Sequence, residues 1–325
     1  MSIIPVEVPT GAIRYNTDSN KMECYNGTKW MQVAVSESTP IGARGLIGGA
    51  ESTNTITYFT IATTGNGVDF GDLTNVQDYA GACASRTRGL WGGGRDPSNL
   101  NIISMIEIAT SGNATDFGDI TVARRELTGF GNQTRGLFAG GTLGSQDVID
   151  YVTISTTGNA IDFGNLSQAR DGLAGLASAT RGVVAGGEGP SPYPAIDTIE
   201  FVTIASTGNM VDFGNLDSGK WSVAGCASPT RGLINGNNPA SSGTIQYITI
   251  ASTGNSQDFG DWGNATHSGA SFSSSTRGLW AHSNDGGTST VQYVEFATLG
   301  DGMDFGDSTA EVYRSAGCSN GHGGL

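Results

Sequence analysis

"TRGLFAGG" occupies Thr134 to Gly141, and near copies stand at "ARGLIGGA" from Ala43, "TRGLWGGG" from Thr87, "TRGVVAGG" from Thr180, "TRGLINGN" from Thr230 and "TRGLWAHS" from Thr276. A second marker keeps step with the first. "TGNAIDFGNL" from Thr157 has relatives whose Asp falls at Asp69, Asp116, Asp162, Asp212, Asp258 and Asp304, a spacing of 46 to 50 residues. That period fits a four-stranded β unit, and the Gly, Thr and β-branched content of each unit excludes helical repeats of similar length.

Each unit divides into four strands. A segment of small residues such as "GLAGLAS" (Gly172 to Ser178) comes first, then "RGVVAGG", then an apolar strand such as "TIEFVTIAS" from Thr198, then "VDFG". We label them a, b, c and d. The pattern Ile-x-Tyr in strand c, as in "IQYITI" from Ile245, puts apolar groups on both faces, which a unit wedged between two neighbours needs. Small residues in strand a suit crowding near an axis. The order from centre to rim is therefore a to d, and the expected fold is an all-β, six-bladed β-propeller.

The first b, c and d strands pass before any strand a, and the sixth strand a, "RSAGCSNG" from Arg314, comes last. Blade one is thus expected to close by pairing N- and C-terminal strands, leaving no open edge. The Gly of "TRG" suits a tight a to b turn. The Arg that recurs at Arg44, Arg88, Arg135, Arg181, Arg231 and Arg277, beside a six-fold Asp, reads as one structural ion pair repeated in every blade. Residues 1–40 form a separate piece, a short β-meander of "AIRYN", "KMECYN" and "KWMQVAV", and residues 41–325 hold the blades.

The pattern resembles kelch repeats. The shared elements are a double Gly after strand b ("AGG", Ala139 to Gly141), an aromatic in strand c (Tyr151), an aromatic in strand d (Phe163) and the "AR" lead at Ala169 and Arg170. Phe stands where kelch repeats usually carry Trp. The phrases "TRGLFAGG" and "TTGNAxDFG", with "GAIRYNTDSNKMECYNGTKWMQV" at Gly11 to Val33, are similar to virion structural and tail-fibre-like proteins of tailed bacteriophages, marine cyanophage types among them. That resemblance implies a place in the virion, after synthesis in the host cytoplasm, and a part in attachment. It also implies other virion proteins as partners of the N-terminal piece, or copies of the chain itself.

A formal charge of −14 argues against affinity for nucleic acid or anionic membrane. No stretch has the 18 apolar residues of a membrane span. Cys24, Cys83, Cys226 and Cys318 lack zinc-ligand spacing, and three of them share one inner-strand column with Phe130, Leu176 and Phe272, so they read as buried free thiols. Trp91 and Trp280 replace Phe138 and Ile234 in strand b and read as packing residues.

Two columns at the entry to strand a do not repeat. One holds Asp78, Arg125, Asp171, Trp221, His267 and Tyr313; the one before it holds Gln77, Arg124, Arg170, Lys220, Thr266 and Val312. The b to c loops vary as well, and they emerge on the same face, opposite the uniform "TRG" and "TGN" turns. Loops on a rigid scaffold carry recognition, so Arg125, Tyr193, Trp221, His267 and Tyr313 are the candidate ligand-binding residues. The candidate ligand is a host-surface glycan or protein. No catalytic constellation, metal cluster or cofactor motif stands out, so no enzyme, metal or cofactor is expected. Two functions stay open: host recognition, and a structural decoration or connector of capsid or tail.

Overall fold

The computed structural model describes residues 8–16, 21–32, 43–142, 146–237, 243–262, 269–282 and 289–325. The protein is all-β, and no helix occurs among these residues. It divides into two compact units, Met1–Ile41 and Gly42–Leu325.

In the first unit, β1 (Ile13–Asn16), β2 (Lys21–Tyr25) and β3 (Trp30–Gln32) make an antiparallel meander. Arg14 lies over the Trp30 ring, 4.1 Å from its centroid, and pairs with Glu23. Pairing places Ile13 opposite Cys24, Tyr15 opposite Met22 and Cys24 opposite Met31 on the other face, where Ile13, Tyr15, Met22 and Met31 are exposed.

The second unit runs β4 (Arg44–Gly48), β5 (Thr55–Thr60), β6 (Val68–Asp72); β7 (Gly81–Ala84), β8 (Arg88–Gly92), β9 (Ile102–Glu107), β10 (Thr115–Asp119); β11 (Thr128–Gly131), β12 (Arg135–Ala139), β13 (Val148–Thr153), β14 (Ile161–Asn165); β15 (Ala174–Ala177), β16 (Arg181–Ala185), β17 (Ile196–Thr203), β18 (Val211–Ala227), β19 (Arg231–Asn237), β20 (Thr244–Thr249), β21 (Gln257–Asp261); β22 (Ser271–Ser273), β23 (Arg277–Ala281), β24 (Thr290–Glu295), β25 (Met303–Asp307); and β26 (Ala316–Ser319). Every sheet is antiparallel and follows the a to d order. β26 pairs with β4, Ala316 opposite Gly48 and Ser319 opposite Gly45, so the last strand completes the first sheet.

One boundary departs from four strands per sheet. β18 serves as strand d of one repeat and strand a of the next, fusing two sets into a seven-stranded sheet. Ile196 pairs with Lys220, and Trp221 pairs with Asn237. These pairings carry the ladder through a segment that is a loop at the equivalent points.

The small inner strands β7, β11, β15, the second half of β18, β22 and β26 lie each against the next, and β26 against β7. Their shared column is core: Cys83, Phe130, Leu176, Cys226, Phe272 and Cys318 are all 6% exposed or less. All four cysteines are free thiols, with Cys24 half-buried. Burial pushes the Cys83 thiol up to about 12. Trp91 and Trp280 are buried in strand b.

The "DFG" and "TGN" motifs are joints between successive repeats. "DFG" is a β-bulge in every repeat, with the register slipping across its Phe. Gly118 of one bulge has φ 145°, and a side chain there would strike the Gly158 carbonyl of the next "TGN", 2.5 Å from its Cβ. The Gly158 N–H donates to Phe117 O at 2.8 Å, and Asn159 Oδ1 accepts from the Asp119 N–H at 3.1 Å. The same bonds recur around the unit and close where Gly65 N–H meets Phe305 O and Asn66 meets Asp307.

The repeated arginines do not pair with the "DFG" aspartates, which are exposed in all six repeats. Arg135 lies over Tyr151, 4.7 Å from its centroid, and its guanidinium donates to Ile204 O in the following sheet at 2.8 Å. Arg44, Arg88, Arg181 and Arg231 reach Ile108, Ile154, Ile250 and Phe296 in the same way, and Arg277 returns to Ile61. A strand-end carbonyl is cheaper to satisfy with a long cation than a carboxylate is to bury, since the pair would be desolvated on both sides.

Candidate functional site

The variable column before strand a is not on the surface. Gln77, Arg124, Arg170 and Lys220 are fully buried, and Val312 is 1% exposed. Gln77, Arg124 and Arg170 each meet the "x" residue of strand c in their own repeat. Arg124 pairs with Asp150 at 2.8 Å, Arg170 with Glu200 at 2.6 Å, and Ser104 donates to Gln77. Lys220 stands 3.5 Å from Asp217, whose N–H donates to Gln246. Arg124 and Gln77 also donate to equivalent carbonyls, Gly140 with Phe138 and Gly93 with Trp91. Burial depresses the two guanidiniums, and the carboxylates beside them oppose that shift. The variation in this column is a set of private buried partners rather than a ligand surface. Thr266 lies outside the described residues.

Half of the next column lines a cavity of about 370 Å³. Trp221 and Tyr313 line it together with Asp171. Arg125 is half-buried, pairs with Glu126 at 3.1 Å and does not line it. Tyr193 is 65% exposed on its b to c loop, apart from the lining. His267 lies outside the described residues.

A third column, one residue further on, was not singled out from sequence. Tyr79, Glu126, Gly172, Ser222 and Arg314 all have φ between 53° and 64°, and all line the cavity. Their main chains hold one another in sequence: Tyr79 N–H donates to Arg314 O, Glu126 to Tyr79 O, Gly172 to Glu126 O, and Val223 to Gly172 O. Left-handed backbone at non-glycine residues costs free energy and gathers at functional sites. It also turns each side chain out of the sheet ladder. No one-letter signal announces it, because only Gly172 is a glycine.

Charges at this rim are mostly matched. Arg95 meets Asp78 at 2.6 Å, and Arg314 meets Glu51 at 2.6 Å while lying between the Tyr79 and Tyr313 rings. Asp171 and Glu188 form no ion pair among the described residues. Thr142 Oγ1 stands 2.6 Å from Asp171 Oδ2 and 3.1 Å from Glu126 Oε2, yet one hydroxyl proton serves one carboxylate. Burial first, with the Glu126 and Glu188 charges, pushes the Asp171 carboxyl up to about 6. Burial and Glu126 raise Glu188 as well.

Below the cavity the inner strands enclose a narrow space of about 150 Å³ ending at His322. Residues 320–325 cross that end. His322 Nδ1 accepts from the Gly324 N–H, so Nε2 carries the proton and donates to Ala84 O at 2.8 Å. Gly323 N–H donates to Ala227 O. Gly324 sits so close to Gly131 that a Cβ would stand 2.1 Å from its carbonyl oxygen, and Gly321 packs on Ala43 and Ser274. The segment touches every repeat and stops the space at the "TRG" end.

No known protein family matches the chain, and no curated protein matches it.

Proposed function

We propose that the chain is a six-bladed, kelch-like β-propeller of a tailed-bacteriophage virion, non-enzymatic, with a face that recognises the host surface. The cycle of inner-strand contacts and the completion of the first sheet by β26 support the propeller. The virion role rests on the phrase resemblance set out in the sequence. The recognition role is carried by one observation: the left-handed column of Tyr79, Glu126, Ser222 and Arg314 converges with Trp221 and Tyr313 on a single cavity. The N-terminal meander, with Ile13, Tyr15, Met22 and Met31 exposed on one face, is the surface for other virion proteins or for self-association. Nucleic acid and membrane are not partners in this reading.

The test is adsorption. Labelled full-length protein should bind cells of a susceptible bacterium, and Trp221→Ala with Tyr313→Ala should remove that binding without altering melting. A parent protein that adsorbs to no cells would leave the second reading, a structural decoration or connector. The buried private partners favour that second reading to the extent that they explain sequence variation without any ligand.

A further inference from the structure

We propose that the cavity binds the terminal unit of a saccharide that carries no anionic group, and binds it end on. This rests on the reading of the variable face as a recognition surface and adds the ligand class and the mode of entry.

The chemistry of the wall suits a sugar ring. Trp221, Tyr79 and Tyr313 offer flat apolar area, which packs on the C–H face of a pyranose and costs little side-chain entropy to order. Glu126, Asp171 and Glu188 offer carboxylate oxygens for hydroxyl donors, and Ser222 and the tyrosine hydroxyls both donate and accept. A volume near 370 Å³ lies at the small end of ligand pockets, which run from about 300 to 1,000 Å³. Outside it, Tyr193 is the one large exposed hydrophobic among the described residues of the variable loops, which offers a protein epitope little apolar area.

The charge selects against acids. Arg95 is taken by Asp78, Arg314 by Glu51 and Arg125 by Glu126, while Asp171 and Glu188 form no ion pair among the described residues. The surplus at the rim is negative, on a chain of net charge −14, so a carboxylated or phosphorylated sugar meets repulsion as it approaches.

The floor sets the mode of entry. The space beneath narrows among the inner strands and ends at residues 320–325, where His322, Gly323 and Gly324 are bonded or packed against three different repeats. A polymer has no second exit, so it enters by its end.

The experiment is binding of the full-length chain to an array of saccharides immobilised through the reducing end. It includes uncharged hexose and N-acetylhexosamine termini, sialylated and phosphorylated termini, and uncharged oligosaccharides capped at the non-reducing end. Binding to some uncharged termini is expected, unchanged between 0.1 and 0.5 M salt by order of magnitude, competed by the free monosaccharide and absent from the capped forms. Trp221→Ala should weaken it at least ten-fold and Tyr313→Phe a few-fold, with melting curves recorded for both. If Trp221→Ala fails to fold, Tyr313→Phe and saturation transfer from the free sugar to the parent's aromatic protons decide. Preference for anionic termini, equal binding of capped forms, or binding of no saccharide overturns the proposal. Adsorption to cells that no sugar competes leaves the attachment reading standing and removes this one; failure to adsorb to any cell, with no array signal, removes both.

Discussion

The guanidinium of Arg135 donates to the carbonyl of Ile204, 69 residues further along the chain and in the next sheet, while lying over the ring of Tyr151 in its own. One side chain therefore serves as a clamp between neighbouring sheets and as the cover of an aromatic. Six such clamps, each reaching forward and the last returning to Ile61, give every repeat the same relation to its successor.

Arg135→Met keeps much of the apolar contact with Tyr151 and deletes the bond to Ile204. It should cost about 1–3 kcal/mol, the worth of a hydrogen bond with one charged partner, and lower Tm by several degrees without changing ligand binding. Asp162→Asn, at an exposed "DFG" aspartate of the same repeat, should leave Tm within a degree or two. Equal effects of the two changes would return the arginines to the ion-pair reading.

Asp150→Asn leaves the buried Arg124 without its carboxylate and should destabilise by about 3–5 kcal/mol, the usual consequence of breaking a buried pair from one side. Arg124→Gln with Asp150→Ser imports the pair that the preceding repeat uses at Gln77 and Ser104, where the same strand carbonyls are satisfied. The double change should recover most of the loss in urea denaturation. A cycle with no coupling between the two positions would show that the columns vary independently.

Removal of residues 314–325 deletes β26 and exposes the edge of β4 over Gly45 to Gly48. It also removes the acceptor of the buried Trp91 indole, Ala316 O at 3.2 Å. The truncated chain should aggregate or melt without cooperativity. A single sharp transition near the parent's Tm would show that the first sheet stands without its inner strand.

Two groups set opposite pH trends. The Asp171 carboxyl, raised to about 6, favours the folded state below the ordinary carboxylate range, and that contribution is lost as pH rises through 6. Asp171→Asn should flatten stability between pH 4 and 6 and be no less stable than the parent at pH 8. Burial lowers His322 from 6.5, so its contribution is present above 6.5 and is lost as pH falls through its lowered value. Protonation would also give Nδ1 a hydrogen where it now accepts from Gly324. Urea midpoints for Asp171→Asn and His322→Gln from pH 4 to 8 separate the two, and parallel curves for both variants and the parent would refute the assignment.

Much of the architecture was legible because it is written six times. The markers, the strand order and the pairing of the last strand a with the first strand b follow from period and composition. What Arg135 touches was not legible, since a carbonyl acceptor has no letter of its own and the nearby Asp was the visible candidate. The burial of Arg124 and Arg170 was hidden for a related reason: a non-repeating charged column looks like surface until its partner column on strand c is placed beside it. Variation singles out Trp221 and Tyr313, which line the cavity, whereas Tyr79 and Arg314 depend on backbone handedness. Tyr79, Glu126, Ser222 and Arg314 carry no glycine to betray it.

The pairing of β26 with β4 also puts a clock on biosynthesis. Gly48 and its partner Ala316 are separated by roughly 270 residues, which a ribosome adds in about 15–50 s at ordinary rates of about 5–20 residues per second. The sheet begun first in the second unit is therefore finished last. Throughout that interval the backbone of Arg44 to Gly48 waits as an unpaired, apolar edge, and a neighbouring nascent chain on the same message is the nearest competitor for it.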